Sequence, residues 1–565
     1  MTTATHGARA HRPALALLRS AVLARRRDLM AACALYCGHQ FGEALVPVIV
    51  GATVGGAIAD GDAVHIAAWL ALLAADFVAL SLSYRFGARA SARAKQFAGH
   101  SLRLAVARRA LAPAGGADRA PGDLLTRASA DADRVGAFAG VIAQTVASAM
   151  AVLVAAALLF RIALLLGLAI LAGALLLLLA AAMASRRNVP LSHAEQHTAG
   201  QAAIAAEDLL RGIRVVKGIG AEDASLARYR ALNRAGVEAS RRLAQAEASV
   251  GGVNALLAGC YFALVAGVGG VVALSGALTI GQLVSALGLC LFVVGPMQAV
   301  AGFAPALARA RASAERVHEI ISAAPAVIEA TDATVERRFP AAPTVELVDV
   351  ELAPGSVASF SFGRGLTGLV CADGAESGRL VELLARLLDP LTGRILVDGA
   401  DLHSLSLDAL RRVLLVGARE QPIFAGTVLE NAGLLSAPGG RAVAGALSAA
   451  HADELTPDDA TTQLGDAGAR LSGGQRQRLG LARLLAADAP VLVLENPTSA
   501  VDAVTEAIIA RRLRELRRER TTLIITTSPA LLTACDRVLL LGEMPLSGVH
   551  EQLLETEAYR RAVAR

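Results

Sequence analysis

Two patterns of apolar and polar positions divide this chain. The N-terminal part holds uninterrupted apolar runs of the length that crosses a bilayer, for which about 20 residues of helix suffice. Leu29 to Ala59 carries only Glu43 as a formal charge, and Val64 to Tyr84 carries only Asp76. Gly136 to Phe160 and Ile162 to Ser185 carry none and are split by Arg161. Residues 248–308 hold no charged residue, which is enough for two spans hinged at Ser275-Gly276. The pattern therefore predicts six membrane helices. Periodic polar and apolar stretches at about 86–135 and 186–247 predict long helices joining the second span to the third and the fourth to the fifth. Short loops at 60–63, 161 and 275–282 fall on the opposite side.

After Arg309 the pattern changes. Residues 322–343, with prolines at 325, 340 and 343, read as a linker. Beyond it short β-rich runs alternate with helical ones: Leu366 to Val370, Ile395 to Val397, Arg412 to Val416, Val491 to Leu494, Thr522 to Ile525 and Val538 to Leu541. Apolar strands alternating with helices predict a mostly parallel sheet covered on both faces. The expected division is residues 1–28 as a cytoplasmic N-terminus with an amphipathic elbow at Ala14 to Ala24, 29–321 as a membrane domain, 322–343 as linker and 344–565 as a soluble α/β domain.

Composition agrees with a chain partly in lipid: 565 residues, 55% hydrophobic, 18% charged, mean hydropathy +0.52. The net charge of +5 does not indicate nucleic acid, because its arginines crowd beside the apolar runs. Arg85, Arg89, Arg93, Lys95, Arg186 and Arg187 sit at the ends of the long connections, whereas the short loops offer only Arg161. The positive-inside rule then puts the long connections and both termini in the cytoplasm. The apolar segment after Arg25-Arg26-Arg27 is too long for a cleavable signal core. Lysine occurs only at Lys95 and Lys217, a bias that points to a GC-rich bacterial genome and so to a bacterial inner membrane. The six cysteines show no metal or disulfide spacing, and no metal site is expected; all six read as structural.

The chemistry-bearing residues lie in the soluble half. Leu471-Ser472-Gly473-Gly474-Gln475-Arg476-Gln477-Arg478 opens a predicted helix. Some way on comes Val491 to Leu494, then Glu495-Asn496-Pro497-Thr498-Ser499-Ala500-Val501-Asp502. The first resembles the signature of ABC transporter ATPases, and the second their Walker B strand and D-loop. Gly122 to Arg127 with Asp131 to Arg134, and Gly212 to Lys217, resemble the two intracellular loops of exporter-type members. The resemblance covers nearly the whole chain in the family's order. It implies six membrane helices fused to a P-loop-type ATPase domain, use of ATP and magnesium, and coupling segments near Pro121 to Thr126 and Arg211 to Val216. Ser472, Gly473, Gly474 and Gln475 would cap ATP held by a second subunit, with Asp502 in the adjoining D-loop. Two glycines admit backbone N–H groups to a phosphate, and a helix N-terminus favours negative charge.

The P-loop departs from the family. It should read two glycines flanking four residues, then Lys and Ser or Thr. Aligned on Leu380 to Leu384, the segment is Cys371-Ala372-Asp373-Gly374-Ala375-Glu376-Ser377-Gly378-Arg379. Cys371 and Glu376 stand at the glycines, Ser377 at the lysine, Gly378 at the magnesium-binding hydroxyl, and residues 218–565 contain no lysine at all. Glu495 stands at the Walker B aspartate, Asn496 at the general base, Thr527 at the switch histidine and Arg419 at the Q-loop glutamine, with Gln421 as an alternative there. An amide cannot accept a proton at neutral pH. No catalytic residue is therefore expected in cis.

Since the family pairs each P-loop with the other subunit's signature, this pattern predicts a heterodimer. The partner would be a different half-transporter with an intact P-loop, catalytic glutamate and switch histidine. The expected cargo is a small amphipathic molecule, lipid or peptide moving outward. Uptake of a siderophore-like substrate and a non-transporting regulatory subunit are the competing readings. In the membrane part, Glu43 with His39 and Gln40 nearby, and Asp76, either line a cargo path or bond between helices.

Overall fold

The computed structural model describes residues 4–58, 63–329, 338–371, 373–436, 440–455, 463–542 and 545–563. It forms two compact units, Met1–Arg109 with Arg119–Ser322, and Ala110–Asp118 with Ala323–Arg565.

The first unit is all helix. Its elements are α1 (Ala4–Leu23), α2 (Arg26–Ala52), α3 (Ala63–Ala110), α4 (Pro121–Thr126), α5 (Ala132–Ile162), α6 (Leu164–Arg211), α7 (Ile213–Gly218), α8 (Glu222–Leu274), α9 (Ile280–Ala301) and α10 (Phe303–Ile321). At 1.5 Å per residue, the 48-residue α3 and α6 run about 72 Å, more than twice the hydrocarbon thickness. In α3 the membrane span and its polar extension form one continuous helix. Among the described residues, Arg26–Gly55, Ala63–Ala110, Pro121–Ile162 and Ile280–Ile321 are long and apolar enough to cross a membrane. The other two apolar runs lie in α6 and α8, where the side chains of Arg186, Arg187 and Asn254 are outside the described residues.

Small residues draw these helices together, since apolar packing in lipid gains from close contact rather than from expelling water. On α5, Ala139, Ala143, Ala147, Ala151 and Ala155 recur every fourth residue and are all buried. Where α2 crosses α9, a Cβ on Gly281 would stand 2.2 Å from the Gly51 carbonyl oxygen, so the two backbones touch. A capping box starts α9: Thr279 accepts from the Gln282 amide, and Gln282 accepts from that of Thr279.

Toward the predicted cytoplasmic end, a buried ionic cluster joins the start of α5 to α10. Asp131 is fully buried and accepts from Ser313 Oγ at 2.9 Å and from Arg316 Nε at 2.7 Å. Arg127, also buried, donates to Glu319 at 2.7 Å and to the Arg316 carbonyl oxygen at 2.7 Å. Burial pushes the Asp131 carboxyl up, but hydrogen bonds from Arg316 and Ser313 and the guanidinium charges of Arg316 and Arg134 outweigh it and hold the pKa below the ordinary value.

The second unit contains two sheets. Strands β1 (Val345–Ala353), β2 (Ser356–Phe362), β4 (Arg394–Val397) and β5 (Ala400–Asp401) form an antiparallel sheet in the order β2-β1-β4-β5. The other comprises β3 (Gly365–Cys371), β6 (Leu414–Gly417), β7 (Val491–Glu495), β8 (Thr521–Ile525), β9 (Arg537–Leu541) and β10 (Leu546–Gly548). Its order is β10-β9-β3-β8-β7-β6, parallel except for β10. Residues Thr521 to Ile525 of β8 are buried throughout, as a central strand covered on both faces must be. The helices that matter below are α11 (Gly374–Leu384), α12 (Leu407–Val413), α13 (Val428–Ala432), α14 (Gly440–Ala449), α15 (Gly473–Ala486) and α16 (Ala503–Arg517).

One predicted strand began too early. Arg412 and Val413 close α12, whose first turn is capped by the Ser406 hydroxyl, and β6 starts only at Leu414. Ser406 with Asp408 is a helix-start signal that outweighs the β-rich letters after it. Ala110–Asp118, expected with the membrane domain, belongs to the soluble unit, where Arg411 donates to the Pro113 carbonyl oxygen at 2.8 Å and the Ala326 amide to that of Ala114 at 2.9 Å.

Candidate nucleotide site and membrane cavity

Strand β3 and helix α11 frame the P-loop position. The Asp373 carboxylate caps α11, accepting from the Ala375 amide at 2.9 Å; Ala372 is outside the described residues. One turn in, Ser377 is 7% exposed and its hydroxyl reaches Glu495 Oε1 and the Gly374 carbonyl oxygen, both at 3.1 Å. The second oxygen of Glu495 accepts from the Arg419 amide at 3.2 Å. Glu376 accepts from Ser356 Oγ at 2.6 Å. Arg379 leans toward Glu382, 3.9 Å away.

Two carboxylates, Glu376 and Glu495, thus flank the end of β3. Their effect registers on Cys371: burial first, then the charges of Glu376 and Glu495, push its thiol up to about 12.

The remaining cis positions are spread around this centre. Asn496 takes a left-handed conformation with φ 43°, and its amide donates to the Ile525 carbonyl oxygen at 2.9 Å. Thr527 is exposed just beyond β8. The Arg419 side chain is exposed, while Gln421 donates to the Ala418 carbonyl oxygen at 2.7 Å.

The signature is well formed. Ser472 caps α15, accepting from the Gln475 amide at 3.2 Å, and the Gln475 side chain accepts from the Ser472 amide at 2.8 Å. Ser472 and Gly473 are exposed. A Cβ on Gly474 would lie 2.8 Å from the Ala500 carbonyl oxygen, so glycine there lets the D-loop pack against the helix start. Gln477 pins the D-loop. Its amide nitrogen donates to the Asn496 carbonyl oxygen and Ser499 Oγ, both at 3.0 Å, and its oxygen accepts from the Ala500 amide at 2.8 Å. Sequence reasoning missed this role, although Gln477 lies inside the motif. Asp502 caps α16, accepting from the Thr505 amide at 3.0 Å, and that backbone bond lowers its pKa.

In the first unit a cavity of about 340 Å³ opens between α2, α3, α5 and α9. It brings together His39, Gln40 and Glu43 of α2; His39 and Gln40 lie four and three residues before Glu43, on the same helix face. Asp76 does not line it. That α3 carboxylate packs against Gly42 of α2, with Oδ1 3.0 Å from where a Cβ there would be and Oδ2 buried without a hydrogen-bond partner. The tyrosines Tyr36 and Tyr84 and the polar Gln144 and Ser148 complete the cavity. Ser148 stands in an alanine-rich run and carried no signal of its own.

Comparison with known proteins places this geometry. The family described as the ABC transporter transmembrane region matches residues 29–297, and the family described as ABC transporter matches residues 359–499. An ATP-dependent lipid A-core flippase of Xanthomonas euvesicatoria is 30% identical over 414 residues, 67% of each chain. The chain belongs to the ABC transporter family. A flippase of the same name from Methylobacillus flagellatus is 30% identical over 65% of this chain and 64% of its own length. A multidrug efflux ATP-binding/permease protein of Mycobacterium tuberculosis is 31% identical over 386 residues, 65% of this chain but only 32% of that protein. The fold of a bacterial Atm1-family ABC exporter with ATP bound superposes with a TM-score of 0.76 at 22% identity, covering 98% of this transporter and 99% of that chain. One transmembrane region followed by one ATPase domain is the architecture of a half-transporter.

Proposed function

We propose that this chain is one subunit of a heterodimeric, ATP-driven exporter of the bacterial inner membrane, with both termini cytoplasmic. Its own P-loop site is inactive, and it supplies Ser472, Gly473, Gly474 and Gln475 to ATP held by a different partner. The observation that carries this reading is the hydrogen bond from Ser377 to Glu495 at the position where a lysine would clamp phosphate, in a chain whose signature is exposed and correctly capped.

A magnesium–triphosphate does not fit residues 371–379. Ser377 brings no charge, Gly378 no hydroxyl, and Glu376 adds a negative charge. At an effective dielectric near 20, unit charges 4 Å apart interact by about 4 kcal/mol, so both the missing cation and the added anion oppose binding by amounts of that order before screening. Glu495 is already committed to Ser377 and the Arg419 amide. The signature keeps what a trans site needs: donors at a helix start, with the glycines that let phosphate approach. Outward transport is supported by the export and flipping activities named for the relatives and by the exporter fold. The cargo class on this reading is a small amphipathic molecule, lipid or peptide.

The test compares two substitutions in the purified heterodimer. Gly473→Asp introduces a carboxylate where a Cβ meets nothing closer than 3.8 Å, so the fold tolerates it while phosphate does not. It is expected to lower magnesium-dependent ATPase at least 100-fold, as loss of one strong transition-state contact does. Ser377→Ala should leave the rate within about twofold, the range of a contact with no catalytic part. Equal sensitivity at both positions, or brisk turnover by this chain alone, would overturn the reading.

A further inference from the structure

We infer that the cavity between α2, α3, α5 and α9 is a binding site for an organic cation, a protonated amine or quaternary centre carried on an apolar body. This names the cargo class of the proposed exporter and so rests on that reading. Its volume of about 340 Å³ lies at the small end of ligand pockets.

Four observations converge. First, the Tyr36 and Tyr84 rings stand 5.9 Å apart and His39 lies 5.1 Å from Tyr84, so three rings gather at one wall. Aromatic faces attract cations, tyrosine among the stronger of them. Second, Glu43 brings a carboxylate to the same wall. Its polar neighbour among the described residues is His39, at 3.8 Å on its own helix. A carboxylate placed only to join helices would bond across to another one; this carboxylate instead stays available to the cavity. Third, His39 Nδ1 lies 3.0 Å from the Leu80 carbonyl oxygen, which can only accept, so Nδ1 carries the hydrogen and the ring is held at this angle by α3. Fourth, Ser148 is fully buried, lines the cavity, and its hydroxyl has no hydrogen-bond partner. Such an orphan is costly unless something bonds it.

Charge selects the ligand. Among the described residues no lysine or arginine lines the cavity, so a phosphate or carboxylate headgroup finds no counterion in its wall. Tight helix crossings keep the walls in place: a Cβ on Gly87 would lie 3.0 Å from the Tyr36 ring, and one on Gly288 would lie 2.5 Å from Pro47. The recognising groups are therefore preorganised, which spares the ligand the cost of ordering them.

The experiment uses tetraphenylphosphonium and tetraphenylborate, ions of like size and shape and opposite charge. Binding to the full-length chain in lipid nanodiscs is measured by equilibrium dialysis and by the ligand-induced rise in melting temperature. The phosphonium is expected to bind saturably, with Kd raised at least tenfold by Glu43→Gln and several-fold by Tyr84→Ala, while the borate shows only the partitioning of empty nanodiscs. Glu43→Gln keeps shape and should melt as the parent does without ligand, which separates lost binding from lost fold. Saturable borate binding of equal strength, or phosphonium binding unchanged by Glu43→Gln, would overturn the inference. Neither measurement needs partner or nucleotide. Failure here thus leaves the shared ATP site standing, and failure of that site leaves this cavity's selectivity intact.

Discussion

On the proposed reading, Ser377, Glu495 and Asn496 belong to a nucleotide pocket that lacks its cation. With no lysine to pair against Glu495, a serine hydroxyl of the right reach takes its place, and the Arg419 amide satisfies the second oxygen. Returning one group does not reverse this. Asn496→Glu restores a base but puts a glutamate at φ 43°, where asparagine is tolerated far better, at a cost on the order of 1 kcal/mol. Phosphate release by the isolated variant should therefore stay at the background of the parent; clear magnesium-dependent turnover would show that nucleotide binds in cis after all. The letters at these positions can be assigned one residue at a time, because the motif has fixed spacing. Gln477 was not: its letter is in the motif, but its three bonds to Asn496, Ser499 and Ala500 depend on a D-loop 19 to 23 positions away.

At the scale of elements, glycine, alanine and the charge cluster set how the helices meet. The alanine seam of α5 could be read from its four-residue repeat. The partner of each glycine could not. Gly281→Val places a branched side chain where even a Cβ stands 2.2 Å from the Gly51 carbonyl oxygen. Separating α2 from α9 should destabilise the first unit by about 1–3 kcal/mol, the usual cost of overpacking, seen as a lower melting temperature with the ATPase domain's own transition unchanged. The Asp131 cluster makes a pH-dependent prediction. Because the folded pKa is depressed, its stabilisation is present above the unfolded carboxylate value and is lost as pH falls through the folded one. Asp131→Asn should thus lower the melting temperature at pH 7 and narrow the gap to the parent below about pH 4. A gap that stays constant down to pH 3 would place the stabilisation elsewhere. Arg412 and Val413 mark the opposite failure of sequence reading: β-rich letters absorbed into α12 because Ser406 capped it first.

For the whole molecule the proposed asymmetry is countable. A heterodimer with one competent site should trap one nucleotide with vanadate, and two would refute the division of labour. The six apolar runs, the alternation of strands and helices after Val345, the intact signature and the missing lysine were all determined by sequence alone. Each is set by residues close together in the chain: a span by local hydropathy, a motif by spacing, an absence by counting. Tertiary structure decided the rest. It separated Glu43, which lines the cavity, from Asp76, which packs against Gly42 instead, though both looked alike as lone carboxylates in apolar helices. It brought Asp131 to Arg316, 185 positions along the chain, and moved Ala110–Asp118 into the soluble unit. The physical reason is the same throughout. Which face of a helix a residue occupies follows from its neighbours in sequence, but what that face meets depends on the packing of distant helices.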